Sequence, residues 1–467
     1  MVFSSFSFLL IFLPLCLLCY FLIPKRFRPA RNAVLLVFSL AFYFCGEPKG
    51  IFVMLFVILL CYFCALLISR AESRGVRRLW LTVSVVGTLG LLCYYKYTGF
   101  ASTTMQRLFN SSFPVPQIIM PIGISFFTFQ SVSYVADVYR NDAPVQKNPA
   151  YVALYVSLFP QLIAGPIVRY GTVAEELQNR NETLDGVYEG LRRFTVGLSK
   201  KVLLANTFGE VSEAIFGLTG RSAPIAWAGA VFYALQIFYD FSGYSDMAIG
   251  LGRIFGFRFL ENFNYPYIAR SITEFWRRWH ISLGTWFRDY LYIPLGGNRR
   301  GLPRQICNLL IVWGLTGLWH GASWNFVLWG LYFAVVLILE KLFWKKCLDR
   351  LPAVIGHLYS LLLILVGWVI FNCTSLTSLT VYLRDLFRFR AALPSDWGYL
   401  LYLLRQDWAE LLFGLLFCLP VVPALKRRYE AKVWYAPISC LLLLALLVLS
   451  VMSLTGSTFN PFIYFRF

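Results

Sequence analysis

Three histidines occur in the chain, and the surroundings of His320 are the most suggestive of chemistry. It ends a nearly uncharged stretch that begins at Asn308. An imidazole inside a segment as apolar as a bilayer core is costly, and such groups usually mark a proton relay or a catalytic site. Histidine also suits general-base catalysis near neutral pH. The competing interpretation is a buried histidine that hydrogen-bonds to a neighbouring carbonyl. We interpret His357, which lies outside any motif, as structural.

Two aspartates stand in an otherwise apolar segment, 236–246, together with several hydroxyl groups. Asp240 and Asp246 are expensive in such a setting unless each is paired. One interpretation makes them the polar wall of a tunnel or the partner of a basic residue. The other is a structural ion pair with an arginine of the following segment, which we favour slightly for Asp246.

A segment rich in tryptophan and arginine follows at 274–299. Three apolar residues recur there at helical spacing on one face: Trp276, Trp279 and Leu283. Such an amphipathic helix could lie in the lipid headgroup layer. Alternatively, guanidinium groups could hold the phosphates of an anionic cofactor, and the candidates are Arg277, Arg278 and Arg288. His280 is either a second catalytic group or a structural link.

Composition decides the class of protein. The chain has 467 residues, of which 58% are hydrophobic and 14% are charged, and its mean hydropathy is +0.64. Polar groups could not cover the surface of a soluble protein with this composition. The formal net charge of +19 comes from basic residues clustered in short turns, as in cytoplasmic loops, so we expect a lipid bilayer and no nucleic-acid partner. The eleven cysteines lie mostly inside apolar runs, and we interpret them as packing residues rather than metal ligands.

Apolar runs near the roughly 20 residues that a spanning helix needs recur along the whole chain. The candidate spans are 5–24, 32–47, 50–69, 79–96, 117–137, 149–168, 223–256, 305–320, 324–342, 353–372, 407–425 and 434–454. With the basic turns in the cytoplasm, both termini lie outside. Parts of 169–300 are expected to lie along the interface or to re-enter the membrane. An all-α polytopic membrane protein is therefore predicted.

Seven motifs, in order, resemble the membrane-bound O-acyltransferase family, and most of all its bacterial alginate O-acetyltransferase branch. They are Met120 to Gln130, Phe159 to Arg169, Gly197 to Val202, Tyr239 to Asp246, Trp276 to Leu283, Phe287 to Arg299, and Gly317 to Asn325. The resemblance implies a membrane domain over 1–454, with its motif-bearing core at about 117–345. It further implies about 11–13 spanning or re-entrant helices around a central tunnel. His320 then corresponds to the invariant histidine of the family and His280 to a second one, and Asn325 is a further tunnel or structural candidate.

The C-terminal tail, 455–467, carries Phe462-Ile-Tyr464-Phe-Arg-Phe467. It resembles the terminal motif of the small protein of the D-alanyl-lipoteichoic acid system, in which the tyrosine is regarded as an acyl acceptor. A short aromatic tail could instead be an interfacial anchor. Ten extended residues from Thr455 to Tyr464 span roughly 33 Å, so the tail could reach into a tunnel.

These features together predict an acetyltransferase that moves an acetyl group from acetyl-CoA across the bacterial cytoplasmic membrane. The acceptor is then a cell-wall or extracellular polysaccharide, and Tyr464 is an intermediate carrier. Because the chain has no Gly-x-Ser-x-Gly elbow, the family pattern implies an extracytoplasmic partner with its own catalytic serine. No metal is expected. The alternatives are D-alanyl transfer to teichoic acid, and an ion-coupled transporter or flippase that uses Asp240, Asp246 and His320.

Overall fold

The computed structural model describes residues 2–110, 112–163, 165–388, 393–456 and 462–463. Within these ranges the protein consists of helices joined by turns and loops, and it has no β-strand. The predicted all-α class is therefore confirmed.

One compact unit comprises Met1–Phe194 and Met247–Leu260. Its helices begin with a π-helical turn at Ser7–Phe12 that continues directly into α1. The helices of the first part of the chain are α1 (Leu13–Leu22), α2 (Arg28–Gly46), α3 (Gly50–Arg70), α4 (Arg74–Phe109), α5 (Ile124–Arg140), α6 (Pro149–Ser157), α7 (Phe159–Leu162), α8 (Tyr170–Gln178) and α9 (Leu184–Ser199).

A second unit comprises Thr195–Asp246 and Glu261–Phe467. The helices that follow α9 are α10 (Asn206–Gly217), α11 (Ala223–Ile254), α12 (Ile272–Arg278), α13 (Ile281–Phe287), α14 (Leu302–His320), α15 (Trp324–Leu339), α16 (Lys345–Leu348), α17 (Ala353–Asn372), α18 (Leu376–Phe387), α19 (Pro394–Gln406), α20 (Trp408–Phe417), α21 (Val421–Tyr429) and α22 (Tyr435–Gly456). π-Helical segments continue α9, α13 and α15: they are Lys200–Ala205, Arg288–Tyr292 and Glu340–Trp344, respectively.

Six helices in the described part of the chain are long and apolar enough to cross a membrane, and the bent pair α20–α21 would be a seventh. In the apolar window of α22 only 6% of the residues are buried inside the protein, and in that of α4 only 17%. Side chains as apolar as these, left uncovered by the protein, fit a lipid environment. The prediction of a polytopic membrane protein is confirmed.

Prolines interrupt two of the predicted spans. The run 149–168 divides at Leu158, which is extended (φ −53°, ψ 111°), before α7 begins with Phe159 and Pro160. The run 407–425 bends by 72° between α20 and α21, at Pro420. Proline removes a backbone donor and clashes with the preceding helical turn. Neither run is therefore one straight helix, although each was predicted from the sequence as a single span.

Three arginines surround one buried carboxylate in the first unit. Arg28 donates to Glu182 at 3.2 Å, Arg31 lies 3.1 Å from it, and Arg180 lies 3.6 Å from it. Tyr20 donates a further hydrogen bond to the same carboxylate. Burial opposes ionisation of Glu182, but hydrogen bonds from Arg28 and Tyr20 outweigh it and lower the pKa of this carboxyl to about 2. The cluster ties the start of α2 to the loop between α8 and α9.

We expect Glu182→Gln to destabilise the protein by about 3–5 kcal/mol, because the substitution leaves three arginines together without their anion. The measurement is thermal unfolding in detergent or nanodiscs. Since the pKa of Glu182 falls from its ordinary 4.5 to about 2, its contribution is present above pH 4.5 and is lost as the pH falls through about 2.

Glu189→Gln is the matched control, because Glu189 pairs with Arg253 at 3.3 Å while both side chains remain exposed by 55% and 37%. Such exposed pairs contribute about 0–1 kcal/mol. Equal melting temperatures for the two variants would show that the cluster contributes no special stability.

Candidate functional site

Helices α14 and α15 approach each other at two glycines. A Cβ atom at Gly317 would lie 2.3 Å from the carbonyl oxygen of Phe326, and one at Gly330 would lie 2.2 Å from the carbonyl oxygen of Trp313. No side chain fits at either position, because the obstacles are backbone atoms. This close packing brings the last turn of α14, which ends at His320, against the side of α15.

Aromatic rings enclose His320. Its side chain is 5% exposed, with its ring centroid 5.0 Å from that of Trp329 and 5.3 Å from that of Phe371. The chain leaves the helix at Gly321, where a Cβ atom would lie 2.1 Å from the ring of Phe326. The imidazole predicted to do chemistry is thus buried among aromatic side chains.

His280 lies between α12 and α13 with a left-handed backbone (φ +45°). Its Nδ1 is 3.2 Å from the Oδ1 of Asn262, which also accepts from the amide of Ser282 at 3.1 Å. Burial lowers the pKa of His280 to about 3, so its imidazole is neutral at physiological pH. Because α12 ends at Arg278 and α13 begins only after the left-handed His280, the predicted single amphipathic helix through Trp276 and Leu283 is wrong.

The two histidines belong to one cluster of rings. The ring of His280 lies 4.6 Å from that of Phe241 and 6.1 Å from that of Trp319. Trp319 precedes His320 in the chain, and their rings are 4.9 Å apart. The rings of His280 and His320 therefore both lie near the ring of Trp319.

Tryptophans form the wall behind these histidines, and we call the set Trp276, Trp279, Trp313, Trp329 and Trp368 the tryptophan cluster. Ring centroids within it approach to 4.7 Å between Trp276 and Trp313 and to 4.8 Å between Trp279 and Trp368. Trp279 is 2% exposed. Trp276 and Trp279, for which the sequence allowed a place in the headgroup layer, therefore pack against other rings of the protein.

Glu340 holds α12, which carries part of this cluster. Its side chain is 1% exposed and accepts from the amide of Ile272 at 2.6 Å and from the amide of Thr273 at 2.8 Å. The first amides of a helix have no partner within the helix, so this carboxylate acts as their cap. Sequence analysis missed Glu340, although an acid in the apolar run 333–344 is itself unusual.

Two lysine–aspartate pairs link α11 to the residues that follow α9. Asp240 lies 2.8 Å from Lys201, with both side chains buried. Asp246 lies 2.6 Å from Lys200 and is partly exposed. Both aspartates are paired, as the membrane setting requires. Asp246 pairs with a lysine of the preceding segment, whereas the sequence favoured an arginine of the following segment.

Gly243 lets these pairs form. A Cβ atom at this position would lie 2.8 Å from the carbonyl oxygen of Gly197 and 3.1 Å from the amide nitrogen of Lys201. The backbones of α11 and of the segment 197–201 can approach this closely only with glycine between them. Two of the motifs found in the sequence are thus the two sides of one helix contact.

The three candidate arginines differ in their surroundings. Arg277 is exposed on α12, whereas Arg278 donates to Glu274 at 3.0 Å. Arg288 donates to the adjacent Asp289 at 2.7 Å and is 61% exposed. Their role in binding an anionic donor stays a prediction.

Asn325 is buried near the start of α15. Its Nδ2 donates to the carbonyl oxygen of Phe371 at 3.4 Å, and its Oδ1 accepts from Ser323. It therefore fixes the turn after His320 to α17. Tyr464 lies outside the described residues, while Phe462 and Ile463 of the same motif lie within them.

Comparison with known proteins agrees with the motifs. A sequence profile of the membrane-bound O-acyltransferase family matches residues 3–380. The chain is 38% identical to the probable alginate O-acetylase AlgI of Azotobacter vinelandii over the full length of both proteins. It is 34% identical to the peptidoglycan O-acetyltransferase of Helicobacter pylori, over 83% of this chain and 80% of that protein. It is 28% identical to the teichoic acid D-alanyltransferase of Bacillus subtilis, over 51% of this chain and 64% of that protein.

We expect Gly317→Ala to lower the melting temperature, because the added methyl group meets a backbone oxygen and forces α14 away from α15. Overpacking of this kind costs about 1–3 kcal/mol. Thermal unfolding of the purified protein measures it.

Gly314→Ala, three residues earlier in the same helix, is the control, since a Cβ atom there meets no atom within 4 Å. Alanine is the better helix former by about 1 kcal/mol, so this variant should be neutral or more stable. If both variants melt alike, the close contact at Gly317 does not fix the position of α14.

Proposed function

The chain belongs to the membrane-bound O-acyltransferase family, and we propose that it takes an acetyl group from acetyl-CoA and passes it across the membrane to acetylate a polysaccharide. Membership makes it a multi-pass membrane O-acyltransferase and confirms the resemblance found in the motifs. One observation carries the proposed mechanism. His320 is buried among aromatic rings at the end of α14, a setting that suits an imidazole acting as a general base.

In the first step the phenol of Tyr464 attacks the carbonyl carbon of the thioester while His320 accepts the phenolic proton. The tetrahedral intermediate collapses by breaking the carbon–sulfur bond, and the thiolate takes the proton back from His320. The products are free coenzyme A and O-acetyl-tyrosine. The indole N–H of Trp329 has no acceptor among the described residues, so it is available to the oxyanion of this intermediate.

In the second step a hydroxyl group attacks the acyl carbon of the acetyl-tyrosine ester, the bond between that carbon and the phenolic oxygen breaks, and the proton of the hydroxyl passes to the phenolate. The order of leaving groups favours this direction. A thiol titrates near 8.5 and a phenol near 10, whereas water, with a pKa of 15.7, approximates an alkyl hydroxyl. Each transfer therefore runs downhill.

Donor binding is assigned to the arginines of the 274–299 segment. Arg277, Arg278 and Arg288 supply planar donors that suit phosphate oxygens. Arg277 is the exposed member of α12, and the partners of the other two, Glu274 and Asp289, are neighbours in sequence. A phosphate can thus compete for them without unfolding the site. We place this face in the cytoplasm, following the distribution of basic turns.

The acceptor is a cell-wall or extracellular polysaccharide, reached through an extracytoplasmic partner that supplies a serine nucleophile. This choice rests on the alginate- and peptidoglycan-acetylating relatives, which align with much more of the chain than the D-alanyltransferases do. D-Alanyl transfer is the second candidate. Membership in a family of acyltransferases leaves the transporter hypothesis without support. We place the protein in the bacterial cytoplasmic membrane with both termini outside.

His320→Ala should insert and fold normally but lose acetyl transfer by about 10²–10⁴-fold, because the general base is gone. The assay is transfer of labelled acetyl from acetyl-CoA to the protein and to cell-surface polysaccharide. His357→Ala is the control, since His357 lies on α17 outside the ring cluster. Near-normal acetylation by a well-expressed His320→Ala protein would overturn the assignment.

Tyr464→Phe should abolish acetylation while leaving expression and insertion intact, because the ring stays and the one oxygen that carries the acetyl group is lost. Peptide mass analysis after incubation with labelled acetyl-CoA should find the label on the C-terminal peptide of the unmodified sequence alone. Tyr402→Phe, at an exposed tyrosine of α19, is the matched control. Normal O-acetylation by Tyr464→Phe would make the tail an anchor and would leave the His320 assignment standing.

A further inference from the structure

We propose that Asp240 is the docking residue for the C-terminal tail, which it grips through the backbone amide of Ile463 while Tyr244 stacks on Phe462. Docking positions the tail for acylation, and in that role the inference rests on the proposed function of Tyr464. The contact between the tail and α11 does not depend on that function.

The described tail residues are buried against α11. The amide nitrogen of Ile463 lies 2.8 Å from the Oδ2 atom of Asp240. The ring centroids of Phe462 and Tyr244 are 4.7 Å apart, with 29° between the ring planes. Phe462 is 6% exposed and Ile463 is 3% exposed. An aromatic tail that served as an interfacial anchor would present these side chains to lipid instead.

The two residues that contact the tail lie on the same face of α11. Asp240 and Tyr244 are four residues apart in α11, and side chains at this spacing project from the same side. One fixes the backbone of the tail through a hydrogen bond to a charged group, and the other fixes an adjacent side chain. Two contacts to consecutive residues set the direction of the tail as well as its location.

Lys201 prepares Asp240 for this role. Its ammonium group lies 2.8 Å from Oδ1, while the tail uses Oδ2. The lysine also donates to Asn206 at 2.8 Å. The lysine compensates the charge of the buried carboxylate through Oδ1, which leaves Oδ2 to accept from the backbone amide of Ile463. An aspartate whose role was only the structural ion pair with Lys201 would not also bind the backbone of the tail.

The helix before the tail is tied to the same segment. Within α22 the buried residue is Ser450, whose hydroxyl lies 3.1 Å from that of Ser199. Ser199 is followed directly by the lysines that pair with α11. The helix that precedes the tail and the docking point of the tail are therefore both bound to the segment 199–201.

Docking also connects the tail with the histidine cluster. The ring of Phe241, the residue after Asp240, lies 4.6 Å from that of His280. The ring of Trp319 lies near those of both His280 and His320. A peptide bond joins Ile463 to Tyr464, so holding the first restricts the reach of the second. This restriction converts the attack of Tyr464 into an oriented intramolecular step.

Hydrogen–deuterium exchange of the full-length protein in nanodiscs tests the docking without any chemistry. We expect the peptide that contains Ile463 to exchange slowly, and Asp240→Ala to speed that exchange roughly 10- to 100-fold, the range for a hydrogen bond to a charged group. Asp240→Asn keeps an acceptor oxygen and should fall between the two. Phe462→Ala should also speed exchange, and as a change in the tail it leaves the Lys201 pair intact.

Asp385→Asn controls for the loss of a buried carboxylate, since Asp385 lies 3.2 Å from Arg221 with both side chains almost fully buried. It should leave tail exchange unchanged. Faster exchange in this variant, or unchanged exchange in Asp240→Ala, would overturn the docking site whatever Tyr464 does.

Acetylation of the tail, measured on the same proteins, tests the positioning role. We expect acetylation to fall in the order unmodified protein, Asp240→Asn, Asp240→Ala, in step with tail protection. Full acetylation in a variant with an unprotected tail would refute positioning. If Tyr464→Phe is active but its tail still exchanges slowly, the relay fails while the docking site stands.

Discussion

A carboxylate in an apolar interior is stable only where protein groups replace the water that it has lost. This chain meets that constraint at several places, and each solution fixes a part of the fold. Glu182 gathers Arg28, Arg31 and Arg180. Glu340 takes the first amides of α12. Asp240 lies between Lys201 and the amide of Ile463. The buried acids therefore act as the joints that hold helix ends, loops and the tail in place.

Close backbone contacts do for the helices what the acids do for their ends. Gly317 and Gly330 allow α14 and α15 to touch, and Gly243 does the same for α11 and the segment 197–201. In a membrane, lipid tails are as apolar as the helices, so the hydrophobic effect does not drive helices together. Small residues that allow close backbone contact are the usual means of packing there. The first contact sets His320 against Trp329, and the second sets Lys201 against Asp240. The histidine proposed as the general base and the aspartate proposed to dock the tail thus depend on the same kind of packing.

The sequence predicted the parts whose information is local. The apolar runs gave the membrane class, the isolation of His320 singled it out, and the ordered motifs indicated the family. Non-local features were beyond its reach. The left-handed backbone at His280 is stabilised by Asn262, 18 positions earlier, and no periodicity in 274–299 reveals that break. Asp246 finds Lys200 at a separation of 46 residues, whereas pattern analysis favoured a neighbouring arginine.

A carrier residue has to be held during one half of the cycle and released in the other, and the strength of the tail contact suits both. A hydrogen bond to a charged group contributes about 1.5–3 kcal/mol, and one aromatic stack adds about 0.5–1.5 kcal/mol. Their sum, about 2–4.5 kcal/mol, favours the docked tail in the proposed relay without making it permanent. Lys201 matters for the release that this relay requires. Because its ammonium group lies beside Oδ1 of Asp240, departure of Ile463 would still leave the buried carboxylate a cationic partner.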